Sequence, residues 1–165
     1  MSINNKKIII RPMRSSEAPA VAKLFKSIVV NLKYYNARAR KNETDRYTTT
    51  TLRQKIANDS RSVLVAYDGL ELVGFCFSRW DDYTIWLEWF GVSPKSRNRG
   101  VGRALLVSLE KTLKFRKAHK VWCDCRTSNL KSKNILMSSG YRIIGIVKKH
   151  WYGQDFILWH KNIDR

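Results

Sequence analysis

The sequence predicts a single mixed α/β (α+β) domain over residues 1–165. Three observations carry that expectation. Seven short segments rich in β-branched and aromatic residues recur along the chain. Segments with apolar residues at helical spacing separate several of them. The second half runs strand, helix, strand, helix, strand, the order of α/β units. No internal repeat, linker or low-complexity tract divides the chain.

The elements follow in order. Lys7 to Pro12 (KIIIRP) reads as a first strand, closed by a proline that suits a strand end. Ser15-Ser16-Glu17 supplies a helix cap, and Val21, Leu24 and Phe25 give helical spacing over Ala18 to Ile28. Residues 29–48 are polar and aromatic with weak periodicity, fitting a second helix or a flexible segment. The Thr48–Thr51 run caps a helix over Leu52 to Asn58. Ser62 to Tyr67 and Leu72 to Arg79 are strands around an Asp68-Gly69 hairpin signal. Asp81-Asp82 marks a turn into a strand over Tyr83 to Val92. Leu105, Leu106, Leu109 and Leu113 mark a long amphipathic helix. Lys120 to Cys125 is a strand, and Ser128 or Asn129 caps a helix ending at Gly140. Tyr141 to Val147 and Phe156 to His160 are the last strands.

Composition narrows the class. No apolar run approaches the about 20 residues of a membrane span, and Met1 to Lys7 has no signal-peptide core. A soluble cytoplasmic protein with no membrane partner is expected. The cysteines are three, and Cys123 and Cys125, two apart on a strand, share a face. They read as buried inert thiols, and His119, His150 and His160 offer no zinc-ligand spacing, so no metal is expected. The formal charge is +19, and residues 95–149 hold 15 Lys and Arg against two acids. Such a field attracts an anion, whether a phosphorylated cofactor, RNA or an acidic protein, or it is a solubilising surface.

The stretch "WFGVSPKSRNRGVGRALLVSL" narrows the anion. A glycine turn between strand and helix brings backbone N–H groups close to a phosphate, and the helix N-terminus adds partial positive charge. Arg97, Arg99 and Arg103 add full charges and guanidinium donors. A dinucleotide fingerprint would need a small residue at Leu105. A P-loop would need Gly-Lys-Ser/Thr, which is absent.

"VSPKSRNRGVGRALL" resembles the acetyl-CoA-binding signature of the GNAT superfamily of N-acetyltransferases, Arg/Gln-x-x-Gly-x-Gly/Ala after a Val-x-Pro strand end. The matching residues are Arg97-Asn98-Arg99-Gly100-Val101-Gly102. "NLKSKNILMSSGY" resembles the family's Asn-x-x-Ala-(x)7-Gly-Phe segment, with Asn129 and Gly140-Tyr141 in place and Ser132 where Ala would stand. "IIIRPMRSSEAPAVAKLF" resembles its first strand and helix. The resemblance covers nearly the whole chain in the right order. It implies a mostly antiparallel sheet of six to seven strands, splayed at the cofactor site, with helices on both faces. It implies acetyl-CoA as donor and CoA as product. By residue match, amides of Asn98, Arg99, Gly100, Val101, Gly102 and Arg103 take the pyrophosphate, and the backbone of Phe90, Gly91 and Val92 takes the pantetheine arm. One of those strand amides polarises the thioester carbonyl. The side chain of Asn129 matches a pantetheine contact, although an Asn helix cap is an equal alternative.

Acetyl transfer to an amine needs a proton removed and a thiolate accommodated. Glu88, in "IWLEWFGV", resembles the carboxylate that faces the amine in polyamine-type members and is one candidate base. Asp124, five residues before Asn129, stands where some N-terminal acetyltransferases carry a catalytic Glu. Either could instead be structural, Asp124 for example paired with Arg126. The family's usual acid, a Tyr seven residues after the Asn, is replaced by Leu136. Tyr152, in "KKHWYGQDF", is the candidate substitute and His150 the second. Tyr34, Tyr35, Glu88 and the loop His150, Trp151 and Tyr152 are expected around the acceptor.

The expected function is therefore N-acetylation of a primary amine, either a small amine or polyamine or a protein amine, by direct attack in a ternary complex. Leu136 keeps a non-catalytic CoA-binding regulatory module open, and the charge keeps an RNA- or ribosome-associated basic protein open. The basic face suits an acidic or RNA-bound partner. Homodimers are common in the resembled family, and no residue here decides for one.

Overall fold

The computed structural model describes residues 8–163, so Lys7 and the N-terminal segment read for targeting lie outside the described residues. The first strand, β1, is Ile8–Pro12, and one 3-10 turn leads from it into helix α1, Ala18–Val29. Glu17 staples that corner. It accepts from the Arg11 guanidinium at 2.6 and 2.8 Å, from Tyr67 Oη at 2.7 Å and from the Arg14 amide at 2.7 Å. These donors, Arg11 foremost, hold its carboxyl down at about 2.

Residues 29–48 resolve into a loop and helix α2, Ala37–Arg46, followed by α3, Thr49–Asn58. Asn36 and Thr48 cap the two helices through Ala39 N and Thr51 N. The third helix thus starts at Thr49, not Leu52. Helix α2 buries only Ala39 and Glu43, which is why its apolar period is faint. Next come β2, Val63–Asp68, β3, Glu71–Asp81, and β4, Thr84–Val92. Helix α4, Val101–Thr112, follows the glycine loop. The chain closes with β5, Lys120–Arg126, α5, Leu130–Ser138, β6, Arg142–Val147, and β7, Phe156–Asn162.

The seven strands form one sheet in the order β1-β2-β3-β4-β5-β7-β6, and only β4 and β5 pair in parallel. The strand period of two sorts the side chains between two layers. Val63, Val65, Phe75 and Phe77 face α1 and α3, packing on Val21, Phe25 and Leu52. Leu64, Ala66, Val73 and Cys76 face α4, packing on Val101, Leu105 and Leu109. Each such side chain contributes about 1.5–3 kcal/mol by leaving water. Cys76, Cys123 and Cys125 are free and lie in the second layer, with Cys123 and Cys125 sharing a face as the strand period implied.

The sheet opens in the middle. β4 and β5 pair from Thr84 with Lys120 as far as Leu87 with Cys123. Beyond that, β4 pairs only with β3 and β5 only with β7. Glu88 sits at the divergence, as the extra residue of a bulge: Leu87 opposes Ser78, Trp89 opposes Phe77, and nothing opposes Glu88. A mostly antiparallel sheet of seven strands, splayed at its centre and covered by helices on both faces, matches the fold expected from the sequence. No described helix is long and apolar enough to cross a membrane.

Candidate active site

The splay opens a cleft of about 1530 Å³ between β4 and β5. One end is the glycine loop. Asn98 and Gly100 both take left-handed backbone, with φ of 60° and 79°. Asn tolerates that region better than most residues, which explains how it stands in a loop where Gly is common. Gly102 allows a second close approach, since a Cβ there would lie 2.8 Å from Ile135 Cδ1 on α5. Among the described residues, none accepts a hydrogen bond from the N–H groups of Asn98 to Arg103. A row of free donors at a helix N-terminus, beside a strand with an unpaired edge, fits a pyrophosphate followed by an extended polar arm.

The arginines divide the work. Arg97 Nε donates to the Val92 carbonyl at 3.2 Å, and Arg103 reaches Ser138 Oγ on α5 at 3.0 Å. Both line the cleft, together with Phe90, Gly91, Val92 and Val101. Arg99 does not. Its guanidinium pairs with Asp68 at 2.8 Å and pins the loop to the end of β2. Asn129 lines the cleft but spends its side chain as a cap: Oδ1 accepts from Ser132 N at 3.2 Å and Nδ2 donates to Ser132 Oγ at 2.8 Å.

The other end holds the carboxylates. Glu88 and Asp124 are the first residues past the last paired positions of β4 and β5, and both line the cleft. Their surroundings differ. Lys55 Nζ on α3 meets Glu88 Oε2 at 2.6 Å, so Glu88 has a resident cation. The Asp124 carboxylate has no hydrogen-bond or ion-pair partner among the described residues. Burial pushes it up to about 6, with Arg126 pulling down and the charge on Glu43 pushing further up. The expected structural alternative, a pair with Arg126, does not form. Arg126 donates from Nε to Gln154 at 2.7 Å and lies 3.3 Å over the Tyr35 ring.

Two loops meet across this end. Asn36 Nδ2 donates to the Tyr152 carbonyl at 3.1 Å, and Gln154 Nε2 donates to the Tyr34 carbonyl at 2.8 Å. Tyr152 has left-handed backbone, φ 56°, and its hydroxyl donates to Glu43 Oε1 at 3.0 Å. Burial, then the adjoining Glu43 carboxylate, raises the phenol's pKa. Tyr34, Tyr35, Trp151 and Tyr152 all line the cleft. His150 is exposed, lies outside the lining, and stacks edge-on against Trp151. Leu136, in the position of the missing Tyr, is 1% exposed and belongs to the core.

Sequence reasoning missed Glu43 and Lys55. Glu43 is 7% exposed and accepts from Trp89 Nε1 at 2.9 Å as well as from Tyr152. The only local signal was an acid in a weakly periodic segment.

Known proteins share this fold. Residues 31–141 match the acetyltransferase (GNAT) family. The PaiA N-acetyltransferase from Thermoplasma acidophilum, solved with coenzyme A, superposes with a TM-score of 0.79 at 14% identity, over 94% of this chain and 99% of that one. The putative acetyltransferase yncA from Salmonella typhimurium, solved with acetyl-CoA, gives 0.74 at 19%, over 96% and 95%. The ribosomal-protein-S18-alanine N-acetyltransferase from Escherichia coli gives 0.71 at 18%, over 96% of each chain. No curated protein matches by sequence. The family match spans well over half of the residues, and the chain belongs to the GNAT family of acetyltransferases.

Proposed function

We propose that the chain, as one domain over residues 1–165, is a cytoplasmic N-acetyltransferase that moves an acetyl group from acetyl-CoA to a primary amine by direct attack in a ternary complex, with Asp124 as base. The observation that carries this is an unpartnered carboxylate, pushed up to about 6, at the point where the sheet parts, in the same cleft as a row of free amides. Acetyl-CoA supplies the activated acetyl thioester. Residues Asn98 to Arg103 hold its phosphates through main-chain N–H groups, with Arg97 and Arg103 adding charge. The β4 edge from Glu88 to Val92 aligns the arm, and an amide of that edge polarises the carbonyl.

Asp124 takes the ammonium proton onto a carboxylate oxygen, so that a neutral nitrogen attacks; as the C–N bond forms the C–S bond would break, and the departing thiolate would take the proton the nitrogen then loses. A base near 6 is ionised at neutral pH and still accepts a proton from a bound ammonium. Glu88 lies beside the acceptor rather than taking its proton, since Lys55 already occupies its Oε2 at 2.6 Å. Tyr152 was expected as the acid. Its proton is committed to Glu43, because a carboxylate only accepts. Its oxygen is left as an acceptor for a substrate N–H, which argues for binding rather than proton supply. Asn129 acts by capping α5 against the cleft.

The test is thiol release from acetyl-CoA with a panel of diaminoalkanes and peptides bearing a free N-terminus. An Asp124→Asn protein that binds coenzyme A but releases thiol at less than about 1% of the wild-type rate supports the assignment. Wild-type turnover that survives this change sinks it. The buried Leu136 favours one other reading, a module that binds coenzyme A without turnover. Thermal stabilisation by coenzyme A with no thiol release from any amine would select it.

A further inference from the structure

The far end of α4 carries a second feature, about 18 Å of helix away from the glycine loop. Three large aromatic side chains are exposed there: Trp80 at 45%, Tyr83 at 60% and Phe115 at 59%. They come from the tip of the β3–β4 hairpin and the α4–β5 connection, 32 to 35 residues apart in sequence. Arg116 brings the segments together. It pairs with Asp59 at 2.7 Å and donates to Ser78 Oγ at 2.9 Å, and Ser78 shares a face of β3 with Trp80. The His119 amide then bonds the Tyr83 carbonyl at 3.1 Å.

The rings are held outward. Asp82, Tyr83 and Lys117 all have left-handed backbone, with φ of 44°, 64° and 53°. For a bulky aromatic such as Tyr83 that is a strained choice. It sets the Tyr83 ring edge-on to Trp80, 5.4 Å between centroids. Arg61 and Lys114 sit 4.4 and 4.9 Å from the Phe115 ring. Lys111, Lys114 and Lys117 are exposed, and with Arg61 they join none of the ion pairs among the described residues.

We propose that this end of the molecule is a docking surface for single-stranded RNA, with Trp80 and Tyr83 as stacking groups and Arg61, Lys111, Lys114 and Lys117 as phosphate contacts. Bases stack on aromatic faces whatever their sequence, and flanking cations follow the backbone. The +19 charge of the chain supplies the attraction at longer range. Asp81 and Asp82 stand in the same turn. They repel a second phosphate row or an acidic polypeptide, yet accept from a ribose 2′-OH, which DNA lacks. Stacking on Trp80 and Tyr83 needs bases whose faces are open, so unpaired nucleic acid fits better than a duplex.

Fluorescence anisotropy with a labelled 12-nucleotide RNA of mixed sequence tests this. The expected result is binding whose log–log salt slope is about −3, as four neutralised phosphates require. Trp80→Ala/Tyr83→Ala should weaken it at least about tenfold. Lys111→Glu/Lys114→Glu/Lys117→Glu should flatten the slope. Ultraviolet cross-links in the wild-type protein should map to Trp80–Tyr83 or Phe115, a readout that needs no variant to fold. DNA of the same sequence, duplex RNA or polyglutamate binding as tightly would overturn the assignment. So would an affinity unchanged within twofold in the folded Trp80/Tyr83 variant, or cross-links confined to the cleft.

Discussion

Asp124, the proposed base, shows what a buried carboxylate costs its fold. Its ordinary value is 3.8, and in the folded protein it stands near 6. A raised acid is bound to its proton more tightly when folded, so the folded state loses stability as pH rises from about 4 to about 6, and the penalty is complete above that. Asp124→Asn should therefore abolish the acid limb of the rate profile near pH 6 and slow turnover by roughly 10²–10⁴-fold. It should also stabilise the protein at pH 7–8, by roughly 1–3 kcal/mol in urea unfolding. A variant that is both inactive and less stable would mean that Asp124 is structural. Tyr152 separates from it kinetically. If its oxygen holds the amine, Tyr152→Phe raises the acceptor KM several-fold and leaves kcat and its pH dependence nearly unchanged. A collapse of kcat on the alkaline side would restore it to the acid role. Asp124 was legible in the sequence because it sits a short, fixed distance before Asn129. Glu43 was not, because its partners Trp89 and Tyr152 lie 46 and 109 residues away and no local pattern encodes them.

Among elements, the legible ones are those whose burial follows a period. β2 and β3 alternate between two packed layers, and α4 turns Leu105, Leu106 and Leu109 to one face. Helix α2 lacks that signal, since polar bonds hold it: Asn36 to Tyr152, and Glu43 to Trp89 and Tyr152. The glycine loop was legible as a phosphate turn, yet only the fold explains why Asn98 is allowed and why Arg99 faces away, toward Asp68. Gly100 tests the loop as an element. Its φ of 79° strains any residue with a Cβ, while a Cβ there would meet nothing within 4 Å. Gly100→Ala should lower stability by roughly 1–2 kcal/mol through backbone strain. It should also weaken coenzyme A binding, measured by titration calorimetry, because relaxing φ turns the free amides away. A stability loss with an unchanged dissociation constant would leave the loop a mere helix entrance.

For the whole molecule the governing quantity is charge: 32 Lys and Arg against 13 acids. Most of the cations have no ion-pair partner among the described residues, and the pairs that do form, such as Lys55 with Glu88 and Lys161 with Glu110, engage few of them. Net repulsion of that size opposes the compact state, and salt relieves it. Attraction of an anionic cofactor to Arg97, Arg103 and the loop amides is weakened by the same screening. The two effects have opposite sign in one titration. Raising sodium chloride from about 0.05 to about 0.5 M shortens the screening length to under half. The Tm of the ligand-free protein should rise over that range, while the coenzyme A dissociation constant increases. A Tm that falls with salt would mean that the few ion pairs outweigh the excess cations in holding the fold. A salt-independent coenzyme A constant would mean that neutral main-chain donors do nearly all the binding at the loop. The cations of residues 95–149 would then answer to a partner other than the cofactor.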